Sequence, residues 1–182
     1  MLRAFNNWFN TKHQVGEFDG VKFASASDTE GFASLMSNAL ERIKTADALR
    51  YSRVLRNVEW IIDVAHPNGA NHGLYVWKLR RFQFDFDFEG DDESLDNLTS
   101  YVALCLVHES TFGVLCSRGI LKKTLRDKKM AICIREEQRF LRNLGRKFPG
   151  VVSLFTRSSP APPSGNALLA SQAKRIIERT GG

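Results

Sequence analysis

His108 and Glu109 stand side by side in the run LTSYVALCLVHESTFGVLCSRGI, residues 98–120. An imidazole followed by a carboxylate opens the pattern H-E-x-x-H. In that pattern two histidines one helical turn apart hold zinc, and the glutamate acts as general base on a metal-bound water. The chemistry dictates the spacing, because positions i and i+4 of a helix project on the same side and can reach one ion. In this chain the fifth position is Phe112. The first imidazole and the base are in place, but an apolar ring stands where the second imidazole would project. The choice is between a hydrolytic centre with an unusual ligand set and the frame of such a centre without its chemistry.

The elements that must position these residues are two long helices. Apolar on most of its circumference, the first is predicted from about Ser94 to Arg118, with Gly119 as its stop; such a helix is buried. At 100° per residue, Tyr101, Cys105, His108, Phe112, Leu115 and Cys116 share one broad sector, and Glu109 lies a quarter to a third of a turn away. The second helix is predicted from about Lys122 to Lys147, ending before Pro149. Its apolar stripe is Met130, Cys133, Ile134, Phe140, Leu141 and Leu144, with Glu137 in the middle and Glu136 at the edge. A carboxylate in an apolar stripe is costly unless a partner meets it. Glu137 is therefore expected to face His108 and Glu109.

VHESTFGVLCSRGI followed by CIREEQRF resembles the zincin-like metallopeptidases of the gluzincin kind, in particular small bacterial proteins whose core reads H-E-A-T-H. The similarity covers roughly residues 54–148. It implies an α+β domain in which a small antiparallel or mixed sheet packs on the motif helix and a second long helix. It also implies His108 as first metal ligand, Glu109 as base, and Glu137 or Glu136 as the downstream glutamate ligand, with Phe112 at the place of the second histidine. Catalytic zinc takes three protein ligands and a water, so the implied set falls one short. Losing a ligand should remove several kcal/mol from a site worth about 10–16 kcal/mol, leaving zinc weakly held or lost and Glu109 catalytic only if zinc stays. Cys105 and Cys116, on the same face, are the available replacement ligands.

The rest of the chain supplies the domain around these helices. Leu2, Phe5, Trp8 and Phe9 fall on one side of a short N-terminal helix, expected to dock on the core, and Val21–Phe23 reads as a short strand. Ser27 and Glu30 make a capping box before an amphipathic helix carrying Phe32, Leu35, Met36, Ala39, Leu40 and Ile43. A short helical or irregular stretch follows to about Arg50. Residues 54–64, VLRNVEWIIDV, read as a strand, and the loop HPNGANHG places His66 and His72 beside turn residues. Residues 74–89 are a second extended run in which Phe82, Phe84, Phe86 and Phe88 alternate with polar residues, the period of a half-buried strand. The two strands are expected to pair antiparallel. Asp85, Asp87, Glu89, Gly90 and Asp96 fall on positions of a calcium loop, but strand alternation and helix capping explain them, so calcium is not expected. Residues 1–155 are read as one domain, 156–166 (a Pro- and Ser-rich run) as a linker, and 167–182 as a C-terminal helix or tail.

No run of about 18 uncharged apolar residues is evident, so no membrane span is expected. Three cysteines without framework spacing suit reduced thiols in a cytoplasmic protein. The net charge of +6 is unevenly placed, acidic over residues 85–96 and basic over 118–147. Three functions stay open. One is a degenerate zincin-fold protein lacking peptidase activity, acting as a binding or structural module toward a protein or peptide partner. Another is an active zinc peptidase with Glu109 as base. The third is a polyanion or nucleic-acid binder through the basic second helix, with Lys122, Lys123, Arg126 and Lys129 as its first cations. The third is not favoured by the sequence, because no aromatics interleave for base stacking.

Overall fold

The computed structural model describes residues 12–25, 30–63, 74–76, 79–84, 92–118 and 126–149. The fold is α+β. Among the described residues five strands form one mixed sheet: β1 (Gln14–Phe18), β2 (Val21–Ala24), β3 (Trp60–Asp63), β4 (Leu74–Val76) and β5 (Arg81–Phe84). Their order is β1-β2-β3-β5-β4. The inner pairs β2–β3 and β3–β5 are parallel, and the edge pairs β1–β2 and β4–β5 are antiparallel. Among the described residues four long helices pack with the sheet: α1 (Glu30–Ala46), α2 (Ala48–Asn57), α3 (Asp92–Ser117) and α4 (Arg126–Lys147).

Two expectations about the sheet are corrected. The run 54–64 is not one strand: Val54–Asn57 closes α2, Val58 leaves the helix in extended conformation, and among the described residues of the run the strand is Trp60–Asp63. Asp47 caps α2 by accepting from the Arg50 backbone N–H at 3.1 Å, which satisfies a donor at the helix start. Tyr51, Val54 and Val58 then recur on the buried side at helical spacing. The second correction is the pairing, since β3 runs parallel to β5, whose antiparallel neighbour is β4. A strand flanked on both sides in parallel is covered on both faces and loses polar alternation, and Trp60, Ile61, Ile62 and Asp63 are all buried.

The β1–β2 hairpin turns through Asp19 and Gly20, both at positive φ, the combination a type I′ turn demands. Tyr51 Oη donates to Asp19 at 2.6 Å and Lys44 Nζ at 2.9 Å, so the turn is tied to α1 and α2. Phe82 and Phe84 of β5 are fully buried, as alternation predicts. Phe86, Phe88, the acidic residues 85–90, both loop histidines, Ser27, the N-terminal stripe and everything beyond residue 149 lie outside the described residues.

All six apolar positions of the α1 stripe are buried. The centre of the domain is α3, which packs against α1, α2 and α4 and touches β4. Residues 95–117 of it are long and apolar enough, by length and composition, to cross a membrane, and most of that length is buried inside the domain, as in the core helix of a folded protein. Arg42 of α1 binds the Asp96 carboxylate, the Asp96 carbonyl at 2.9 Å and Ser100, and lies over the Phe148 ring at 4.9 Å. One side chain thus joins α1, the start of α3 and the end of α4.

Candidate functional site

The site forms where α4 lies beside both α3 and α2. Glu136 and Glu137 are consecutive, so their side chains leave α4 about 100° apart. Each finds a different helix. Glu137 turns to α3, where its Oε1 is bonded by His108 Nδ1. Both partners are buried, His108 at 3% exposure and Glu137 at 9%. The facing of Glu137 and His108 is the arrangement the stripe analysis predicts.

Glu136 turns to α2. Its Oε2 accepts from Arg50 Nη2 at 3.0 Å and Arg53 Nη1 at 2.9 Å, and its Oε1 from Arg139 Nη1 at 2.9 Å. Arg50 also binds Asp47, and Asn143 Nδ2 donates to Asp47 at 2.7 Å. Arg53 reaches on to Thr111 Oγ1 at 3.2 Å, one residue before Phe112. Burial alone would push the Glu136 carboxyl up, but Arg53, Arg50 and Arg139 hold it below the usual glutamate range. Of the two candidate glutamates, the one on His108 is Glu137; the carboxylate of Glu136 is held by three arginines. The arginine cluster is a feature that sequence reasoning missed, because its helix reads in part as strand.

Around the pair, the two hydroxyls that follow Glu109 bond back within α3. Ser110 Oγ and Thr111 Oγ1 both donate to the Val107 carbonyl, at 3.1 and 2.8 Å. Glu109 is half-buried beside His108. Desolvation pushes its carboxyl up to about 7; the Glu137 charge adds to the rise and His108 opposes it. For His108, burial favours the neutral ring, but the Glu137 hydrogen bond and the charges of Glu137 and Glu109 outweigh it and hold the imidazole above its ordinary value. With the ring charged, Nδ1–H donates to the Glu137 carboxylate. Phe112 packs against the apolar core one turn along from His108.

All three cysteines are free and buried. Burial pushes Cys133 up to about 12 and raises Cys116, and it holds the Cys105 thiol well above its usual range. These are neutral thiols in a core, the common state of buried helical cysteine. Lys129 is itself buried, near Cys116, rather than on the solvated basic face. Lys122, Lys123 and the Arg126 side chain lie outside the described residues.

The donor set can be tested against a metal. Among the described residues no three His, Cys, Asp or Glu side chains converge so as to hold an ion. His108 and Glu137, the two implied ligands, are bonded to each other. A catalytic zinc needs three protein donors and an open position, and these residues do not fit it. What the cluster does offer is a buried imidazole–carboxylate pair beside a second carboxyl group that titrates near neutrality. No family model, curated protein or solved structure matches the chain.

Proposed function

We propose that this chain is a zincin-fold protein whose metal centre is replaced by the His108–Glu137 pair and the Phe112 ring. It carries no peptidase centre and serves as a binding or structural module for a protein or peptide partner. The observation that carries the reading is the bond between the first motif histidine and the glutamate of the following helix, with phenylalanine at the position one turn on. The order of elements supports it too, since a mixed sheet precedes the motif helix and the glutamate helix follows it. Without a metal ion no water is brought to a pKa near about 7 and no carbonyl is polarised. Glu109 then has nothing to activate.

The test is metal content by mass spectrometry of wild type and the Phe112→His variant, both loaded with zinc and dialysed. The expected result is a wild type with far less than one zinc per chain and a variant with close to one. Stoichiometric zinc on the wild type would return the peptidase to the front, with Glu109 as its base. If neither protein holds zinc, the zincin reading loses its support and His108, Glu109 and Glu137 are a hydrogen-bonded core cluster.

A further inference from the structure

The outer face of α4 carries its charges in one narrow sector. At 100° per residue, Lys128, Arg135, Arg139, Arg142 and Arg146 fall within about 60° of one another, and all five are exposed. From Lys128 to Arg146 the helix takes 18 steps, roughly 27 Å at about 1.5 Å each. From Lys128 on, the only carboxylates of this helix are Glu136 and Glu137, both buried and both bonded within the domain. Beside it, α2 is tied to α4 through Glu136 and adds the exposed Arg56. Its one acid, the capping Asp47, is also buried. Among the described side chains of these two helices, every exposed charge is therefore positive.

We infer that this face binds the phosphate backbone of double-stranded nucleic acid without reading its sequence. Over about 27 Å of axis a DNA duplex carries some 16 phosphate charges, both strands counted, so a stripe of this length faces a dense anionic surface. Four of its five cations are arginines, whose planar fork takes phosphate oxygens in pairs. Arg139 already gives one nitrogen to Glu136 and contributes least. The other exposed positions from Lys128 to Arg146 are Ala131 and Gln138. No aromatic side chain is there to stack on single-stranded bases, and no apolar wedge is there to enter a lipid interface. A duplex backbone asks for neither and is recognised by charge alone.

The experiment is fluorescence anisotropy of a labelled mixed-sequence DNA duplex, titrated with the full chain at several salt concentrations. The same titration is run with Arg135→Ala/Arg142→Ala/Arg146→Ala, which leaves Arg139 on Glu136. Each phosphate-neutralising arginine removed should flatten the plot of log affinity against log salt by about 0.9. Three such arginines are worth about 40-fold in affinity between about 50 and 200 mM salt. The expected result is duplex binding that falls steeply with salt and a triple variant with a slope flatter by between two and three. Circular dichroism checks that the variant is folded, and Arg142→Ala/Arg146→Ala is the fallback if it is not. Absence of duplex binding at low salt, or binding that the variant leaves unchanged, overturns the inference. So does tighter binding to phosphatidylserine vesicles than to the duplex.

Discussion

Glu109→Gln should stabilise the protein, and by an amount that grows with pH. Gln keeps the shape of the side chain and removes the charge. In the folded chain desolvation, helped by the Glu137 charge, lifts this carboxyl from 4.5 to about 7. At about 1.36 kcal/mol per unit, that rise is worth about 3 kcal/mol. This is a ceiling, since the side chain is partly open to water. The sign follows from proton counting. Between 4.5 and about 7 the folded chain holds a proton that the unfolded chain has released, so stability falls as pH rises through that window. His108 works in the same direction: its folded pKa is raised, so its contribution is present at low pH and lost as pH climbs through the folded value. Urea unfolding of wild type and Glu109→Gln at intervals from about pH 5 to 8 reads the difference directly. The two proteins should be nearly equal at the acid end and separate by up to about 3 kcal/mol at the alkaline end. A difference that stays flat across the range would mean that Glu109 is solvated and titrates normally, and the buried-cluster description would fail with it.

Two further perturbations probe the halves of the site. His108→Leu alone leaves Glu137 buried without its partner and should cost about 3–5 kcal/mol, whereas His108→Leu/Glu137→Leu should lie much closer to wild type; simple additivity of the two single changes in urea unfolding would show that the pair is not coupled. Glu136→Gln should destabilise at neutral pH by about 2 kcal/mol or more, because Arg50 and Arg53 lose a charged acceptor. The folded pKa of Glu136 is depressed, so its stabilisation is present above its unfolded value and lost as pH falls through the folded one. The acid limb of the variant's stability curve should therefore be shallower than that of wild type, and an unchanged limb would remove Glu136 from the account of acid sensitivity.

The helical part of the site was legible because periodicity is a strong signal. The stripes of α1 and α4 name the buried residues, and Glu137 among apolar neighbours points to a partner on the preceding helix. The α2 segment was not legible for a specific reason. The sequence 54–64 joins the end of a helix to the start of a strand, and Val54, Val58, Trp60, Ile61 and Ile62 together look β-rich when read as one run. Asp47 three residues before Arg50, followed by Tyr51, Val54 and Val58 at helical spacing, was the signal that separates the two. Missing α2 meant missing Arg50 and Arg53, and so the partners of Glu136. The parallel pairing of β3 was hidden in the same way, since a short apolar strand carries no alternation from which to infer a neighbour's direction. Lys129 illustrates a further limit. Its position on the helix wheel is beside the apolar stripe, about 100° from Lys128, and only packing against α3 decides that it is buried.

The titration directions of the cluster have a common cause in its residue types, two carboxyl groups and one imidazole with the Phe112 ring one turn on. Two carboxyl groups, Glu109 and Glu137, lie close to one imidazole in a region that water reaches poorly. Such a cluster tends to neutrality. One positive charge is available, on His108, and it serves Glu137; the second carboxyl then keeps its proton. A raised His108 and a Glu109 near 7 are the two expressions of that balance. A divalent ion bound among the same side chains would require His108 neutral and the carboxyl groups ionised. Zinc uptake by the Phe112→His variant must therefore expel the protons that now neutralise the cluster, and its affinity should weaken as pH falls below about 7. A variant whose zinc affinity is independent of pH in that range would show that the ion binds elsewhere on the chain.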